Sequence, residues 1–100
     1  MITFDDARHR AELEYPRSEY AGFFPSIEPF VAATEGSEDA RSYRVLSETP
    51  ALDPAGMPAM DVPVILVEKS SGVVTFEQFL ECRNQVRQMT PVHSTEVSTS

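Results

Sequence analysis

The run Val62-Pro63-Val64-Ile65-Leu66-Val67, followed by Glu68-Lys69-Ser70-Ser71-Gly72-Val73-Val74, leaves this chain the least choice of fold. Successive apolar side chains in a stretch too short for an ordinary helix read as a strand covered on both faces, hence a central one. Pro63 is confined to its start or to an edge, because proline donates no ladder hydrogen bond. Ser70-Ser71-Gly72 then makes a short hairpin loop with glycine where a positive φ is required, and Val73 and Val74 return antiparallel. Thr75, with Gln78 three residues later, has the form of a capping box. A helix is therefore expected from Thr75, with Phe79, Cys82, Val86 and Met89 on its apolar face. Phe76 and Leu80 flank that face, and Glu81, Gln85 and Gln88 look to water. Thr90-Pro91 ends it.

Upstream, Ile2 to Tyr15 reads as an amphipathic helix. Thr3 is its N-cap, Asp5 and Asp6 face the positive end of the helix dipole, and Pro16 is its stop. Phe4, Ala7, Ala11 and Tyr15 share one stripe, which is taken as the core face, while Leu13 lies almost opposite as a lone exposed leucine or a small contact point. The irregular stretch from Arg17 to Pro29 carries Tyr20, Phe23 and Phe24 and is expected to lie over the core. Phe30–Thr34 reads as a strand, Glu35–Asp39 as a polar turn with Gly36 giving backbone freedom, and Arg41–Glu48 as the next strand. In that second strand Tyr43 and Val45 share one face, Arg44 and Leu46 the other. Residues 49–60, rich in proline and bearing Met57 and Met60, form a long loop that either anchors in the core or meets a partner.

The expected fold is α+β, one domain over residues 1–93 with a disordered C-terminal tail over 94–100. Its order is α-β-β-β-β-α, with an antiparallel sheet of three to four strands and both helices packed on one face. Such a sheet leaves a face or an edge to be covered by loops or by a second copy, so a homodimer is one expectation.

Charge and composition narrow the function. The net charge of -8 is uneven: residues 1–40 hold nine acidic and three basic side chains, residues 41–100 seven and five. A chain without clusters of Lys and Arg is a poor ligand for nucleic acid or an anionic membrane. No apolar run approaches the roughly 20 residues that span a bilayer. The start, Met-Ile-Thr-Phe-Asp-Asp, lacks the basic and apolar regions of a secretory signal, so a cytoplasmic location is expected. A single Cys82 and two histidines exclude an internal disulfide framework and argue against a structural zinc site. Cys82 reads as a packed small hydrophobe.

No constellation of catalytic residues is visible: there is no Gly-x-Ser-x-Gly, phosphate-binding glycine loop, His-Glu-x-x-His or Cys-x-x-Cys. Glu12 with Glu14, or Glu35 with Glu38, would work as acid and base only inside a cleft that desolvates them. The turn acids lack calcium-loop spacing. The chain is therefore read as a non-enzyme with no cofactor or metal. Its candidate partner-binding residues are Glu35, Glu38 and Asp39 of the acidic turn and Met57 and Met60 of the long loop.

The opening Thr-Phe-Asp-Asp-Ala helix, a strand pair, and the hairpin carrying Pro63, Val67, Glu68, Lys69, Ser71, Gly72 and Val74 together resemble small bacterial proteins of the YrhB type, grouped with immunity proteins of polymorphic toxin systems. The resemblance covers about half of the chain. The chain departs from that pattern in having no Trp, in Val73 where glutamate is usual, and in a longer last helix. The resemblance implies a domain that binds and neutralises a partner toxin, or a chaperone-like role; the acidic charge of this chain would suit a basic toxin. Three readings follow: an acidic protein-binding domain, a small homo-oligomeric structural or chaperone-like protein, and a small-ligand binder or enzyme with a dispersed site. The sign of the last would be a deep pocket with convergent polar groups.

Overall fold

The computed structural model describes residues 1–22, 24–52, 55–59 and 62–95. Helix α1 (Phe4–Glu14) leads into strands β1 (Ala32–Glu38), β2 (Ser42–Ser47), β3 (Val64–Glu68) and β4 (Val74–Glu77); α2 (Phe79–Gln88) and β5 (Thr90–His93) follow. The strands form one sheet in the order β4-β3-β2-β1-β5, each neighbouring pair antiparallel. The α+β class and the expected order of elements are found, with a fifth strand added after the last helix. No helix among the described residues is long and apolar enough to cross a membrane.

Helix α1 begins where its cap residues dictate. The Thr3 hydroxyl accepts from the Asp6 N–H at 3.1 Å, and the Asp6 carboxylate accepts from the Thr3 N–H at 3.2 Å. This reciprocal box satisfies two helix-end donors at once. Phe4, Ala7 and Ala11 are buried, as is Tyr15 in the short 3-10 turn Tyr15–Arg17 that contains Pro16. They rest on Tyr43, Val45, Ile65 and Val67 from the centre of the sheet. Phe24, Ile27 and Phe30 extend the same cover, and Tyr15 stacks on Phe30 at 4.9 Å. The aromatic stretch after α1 thus lies over the core, as its composition predicts; Phe23 is outside the described residues.

Strand β3 is buried on both faces. Ile65 and Val67 join the cluster under α1, whereas Val64 and Leu66 meet Cys82 of α2 on the other side. Full burial of such a side chain stabilises by about 1.5–3 kcal/mol. The two helices therefore sit on opposite faces, not on one. The reason is topological. Strands β4 and β5 run parallel at the two edges, about 19 Å apart at the usual strand spacing, and α2, about 15 Å long, has to cross the sheet between them. The first face is already taken by α1 and residues 24–30.

Two boundaries move. The second helix starts at Phe79 with Gln78 as its N-cap, and Thr75 pairs with Leu66 inside β4. A helix from Thr75 would lift Phe76 out of the sheet. In β4 it pairs with Ile65 and places its ring 6.2 Å from Tyr15 and 5.9 Å from Tyr20. Likewise β1 runs on to Glu38, and the turn expected at Glu35–Asp39 closes later, where the Asp39 carboxylate accepts from the N–H groups of Arg41 and Ser42 at 2.8 Å each. Gly36 is a strand residue, between Val45 and Val92. It is glycine because a Cβ there would lie 2.8 Å from the Phe4 ring and press on the Arg44 carbonyl oxygen.

A polar clasp ties α1 to the sheet. The Arg8 guanidinium donates to the carbonyls of Ala33 and Ala32 at 2.8 and 3.1 Å, and to Asp5 and Ser94 at 3.1 Å each. Asp5 also accepts from the Thr95 N–H at 2.9 Å and its hydroxyl at 2.7 Å. Residues 90–95, part of them expected in a loose tail, are therefore strand and clasp; residues 96–100 of that tail lie outside the described residues. Burial alone would raise the Asp5 pKa, but the hydrogen bonds from Ser94, Thr95 and Arg8 hold it well below the ordinary carboxylate range.

Two outcomes are expected. Gly36→Ala should cost about 3 kcal/mol in urea unfolding, since neither the Phe4 ring nor the strand backbone can retreat without strain. Because the folded-state pKa of Asp5 is depressed, its contribution is complete above the unfolded value of about 3.9 and is lost as pH falls below it. Asp5→Asn should thus be about 2–3 kcal/mol less stable than the parent at neutral pH, and the gap should narrow progressively in denaturation curves taken below about pH 4.

Candidate functional site

The residues expected to meet a partner are not brought to one surface. Glu35 and Glu38 project from opposite faces of β1, since Glu35 pairs with His93 and Glu38 with Tyr43 and Thr90 at an odd spacing. Glu35 is exposed, its carboxylate 3.6 Å from the His93 ring. Glu38 is engaged by Lys69 at 2.7 Å, and the Lys69 ammonium also lies 4.8 Å above the Tyr43 ring. Asp39 closes the β1–β2 turn and accepts from the Gln85 amide at 3.0 Å. Burial would raise its pKa, but these hydrogen bonds lower it, the mark of a structural carboxylate. Met57 is 62% exposed, but at the other end of β2, a strand whose six residues span about 20 Å. Met60 lies outside the described residues.

The long loop is partly a fixed structure. Ser26 receives the Leu52 N–H at 2.8 Å and donates to Pro50 O at 3.1 Å, Thr49 donates to Ser26 O, and Ala59 N–H returns to Ala51 O. It docks on Ser26 and holds Met57 outward.

The chemistry tests are equally plain. The Glu12 carboxylate accepts from the Ala32 N–H at 2.9 Å and is no partner of Glu14. Cys82 is buried, its thiol donates to Gln78 O at 3.4 Å, and burial pushes its pKa up, away from nucleophilic use. No group of His, Cys, Asp and Glu suited to hold a metal occurs among the described residues.

What the fold does present is an open sheet edge. The Glu68 N–H donates to Val73 O at 2.9 Å, and the pairing continues in register through Thr75–Leu66 to Glu77–Val64. By the alternation of an antiparallel ladder, Val73, Thr75 and Glu77 bond to β3, and the main-chain groups of Val74 and Phe76 point outward. Beside them runs a groove of about 480 Å³ lined by Glu14, Arg17, Ser18, Glu19, Tyr20 and residues 74–77 of the strand. A second recess of about 320 Å³ continues it past Arg10, Leu13 and Val73. Leu13 is 68% and Val73 56% exposed, so two apolar side chains stand free at the rim. In the larger groove three carboxylates face one guanidinium, and Arg17 is itself 3.9 Å from Glu14, so Glu19 and Glu77 have no ion pair among the described residues.

The sequence singled out neither Val73 nor the groove. The available signal was topological: the last strand of a meander is an edge unless something returns to cover it. Leu13, read as either a lone leucine or a contact point, lies on this rim.

No protein-family model, curated protein or solved structure matches the chain.

Proposed function

We propose that the protein is a non-enzymatic, acidic protein-binding domain that receives an extended, basic segment of a partner along the free edge of β4. The observation that carries this reading is the outward main chain of Val74 and Phe76 beside a long, acid-rimmed groove. An added strand satisfies those groups, and its alternate side chains drop into the flanking recesses, a common mode of peptide capture. Glu19 and Glu77 select cationic side chains, and the net charge of -8 steers them in. The same charge disfavours β4–β4 pairing of two copies, which would bring duplicate Glu19 and Glu77 carboxylates together. Within this reading the resemblance to immunity proteins names the partner as a basic toxin, neutralised in the cytoplasm by occupation of its exposed strand.

A short peptide alternating Lys and Val is the direct probe. On titration, the amide resonances of Val74 and Phe76 should shift, and the affinity should fall with added salt. Val74→Pro removes an outward donor without touching the β3 ladder, and should weaken binding at least about tenfold, roughly 1.4 kcal/mol. Co-expression with the product of an adjacent toxin-like gene should restore growth with the parent and fail with Val74→Pro. Shifts confined to other surfaces, or equal binding by Val74→Pro, would rule the edge out; a dimer mass in light scattering that Val74→Pro abolishes would replace the partner by a second copy.

A further inference from the structure

The two ends of the β4 edge differ in charge. Glu19 lines the larger groove beside Phe76. At the hairpin end, the recess beside Val73 and Val74 carries the Arg10 guanidinium instead. Arg10 is exposed, yet it is held in place. Its guanidinium lies so close against the buried Gly72 that a Cβ added to that glycine would sit 2.6–2.8 Å from it. It makes no hydrogen bond or ion pair with the described residues. Glu14, one helical turn further along at the same recess, is 3.9 Å from Arg17. Arg10 is thus a positioned cation whose fork of donors is open, next to the outward main chain of Val74.

Strand alternation turns this difference into an order of side chains. Val74 and Phe76 pack against the cluster under α1, so residues of an added strand that lie opposite them point to the α1 face as well. The one opposite Phe76 enters the larger groove, with Glu19 and the Tyr20 ring, which is 5.9 Å from that of Phe76. The one opposite Val74 meets Leu13 and Arg10. Every neighbouring pair in the sheet is antiparallel, and antiparallel pairing is the more stable per residue. An antiparallel strand passes Phe76 before Val74.

We infer that the segment received at β4 carries a cationic side chain and, two residues later, a carboxylate. Lys or Arg lies opposite Phe76 and Asp or Glu opposite Val74. This rests on the reading of β4 as the receiving edge, and adds to it a direction and a register. Glu19 and the aromatic faces meet the cation, and the carboxylate accepts from the Arg10 fork. Arg10 is therefore the specificity-determining residue: it rewards the carboxylate and rejects a second cation at that place. The residue between the two points to the opposite face, beside Thr75, and is not selected.

Two end-blocked peptides of one composition test the order on the intact chain: Val-Thr-Val-Lys-Val-Glu-Val-Thr and Val-Thr-Val-Glu-Val-Lys-Val-Thr. A third, with Lys in both charged places, serves as the reference for binding at the edge itself. The amide resonances of Val74 and Phe76 locate each peptide, and fluorescence anisotropy gives its affinity. The Lys-Val-Glu order should bind at least about fivefold more tightly than the reversed order, although the two carry the same charge. Arg10→Ala should erase that difference. Arg10→Glu should make the peptide with two lysines the tightest binder, a gain that a misfolded variant does not show. Equal binding of the two orders at the β4 edge, a preference for the reversed order, or an order effect that survives Arg10→Ala would overturn the inference and leave the edge reading standing. No binding by any of the three peptides would overturn both.

Discussion

The structure hangs on the two-sided burial of β3. Four consecutive apolar residues, Val64 to Val67, cannot be hidden by a single helix, so the chain has to supply cover above and below the sheet. It does so unequally. The first face receives α1, the 24–30 segment and the aromatic group of Tyr15, Phe30 and Phe76. The second receives only α2 among the described residues, and of that helix Cys82 alone is buried while Leu80 remains 82% exposed. One hundred residues furnish one thick layer and one thin one.

That inequality also decides the edges. The crossover through α2 delivers β5 to the β1 side, where Pro91 blunts it and the clasp from Asp5 and Arg8 secures the residues just beyond. No strand of the described residues returns to β4. A strand left bare beside a groove is a hazard in a protein that binds nothing, and natural sheets generally blunt such edges with lysine, proline or a bulge. Residues 73–77, Val-Val-Thr-Phe-Glu, carry no lysine or proline, and the ladder is regular from Val74 to Glu77.

Local grammar made much of this fold legible. The Thr3 cap, the Phe4–Ala7–Ala11–Tyr15 stripe, the Gly72 turn and the two-faced β3 are decided by residues within a few positions of each other, and they were readable for that reason. The errors share one cause. Thr75 with Gln78 and Gly36 beside three acids are valid local signals for a cap and a turn, overruled by distant contacts: Phe76 with Tyr15 and Tyr20, Gly36 with Phe4. Two of the acidic residues expected to meet a partner have partners within the chain for the same reason. Glu38 and Asp39 find Lys69 and Gln85 only once the chain has folded.

Two arginines sharpen the point. Arg8 and Arg44 both lose solvent, but Arg8 is met by two backbone carbonyls, a carboxylate and a hydroxyl drawn from three separate segments. That is how a guanidinium is made structural: its donors are satisfied, and its side chain fastens elements together. Arg44 has no such partners among the described residues. It lies between Ser37 and Leu66 on the other face, half withdrawn from water, with only its Nε shut off from solvent. The contrast is one of layers: the face under α1 is closed, so a polar group there has to be met by the protein, whereas the thin cover of α2 leaves water to meet what it does not bury.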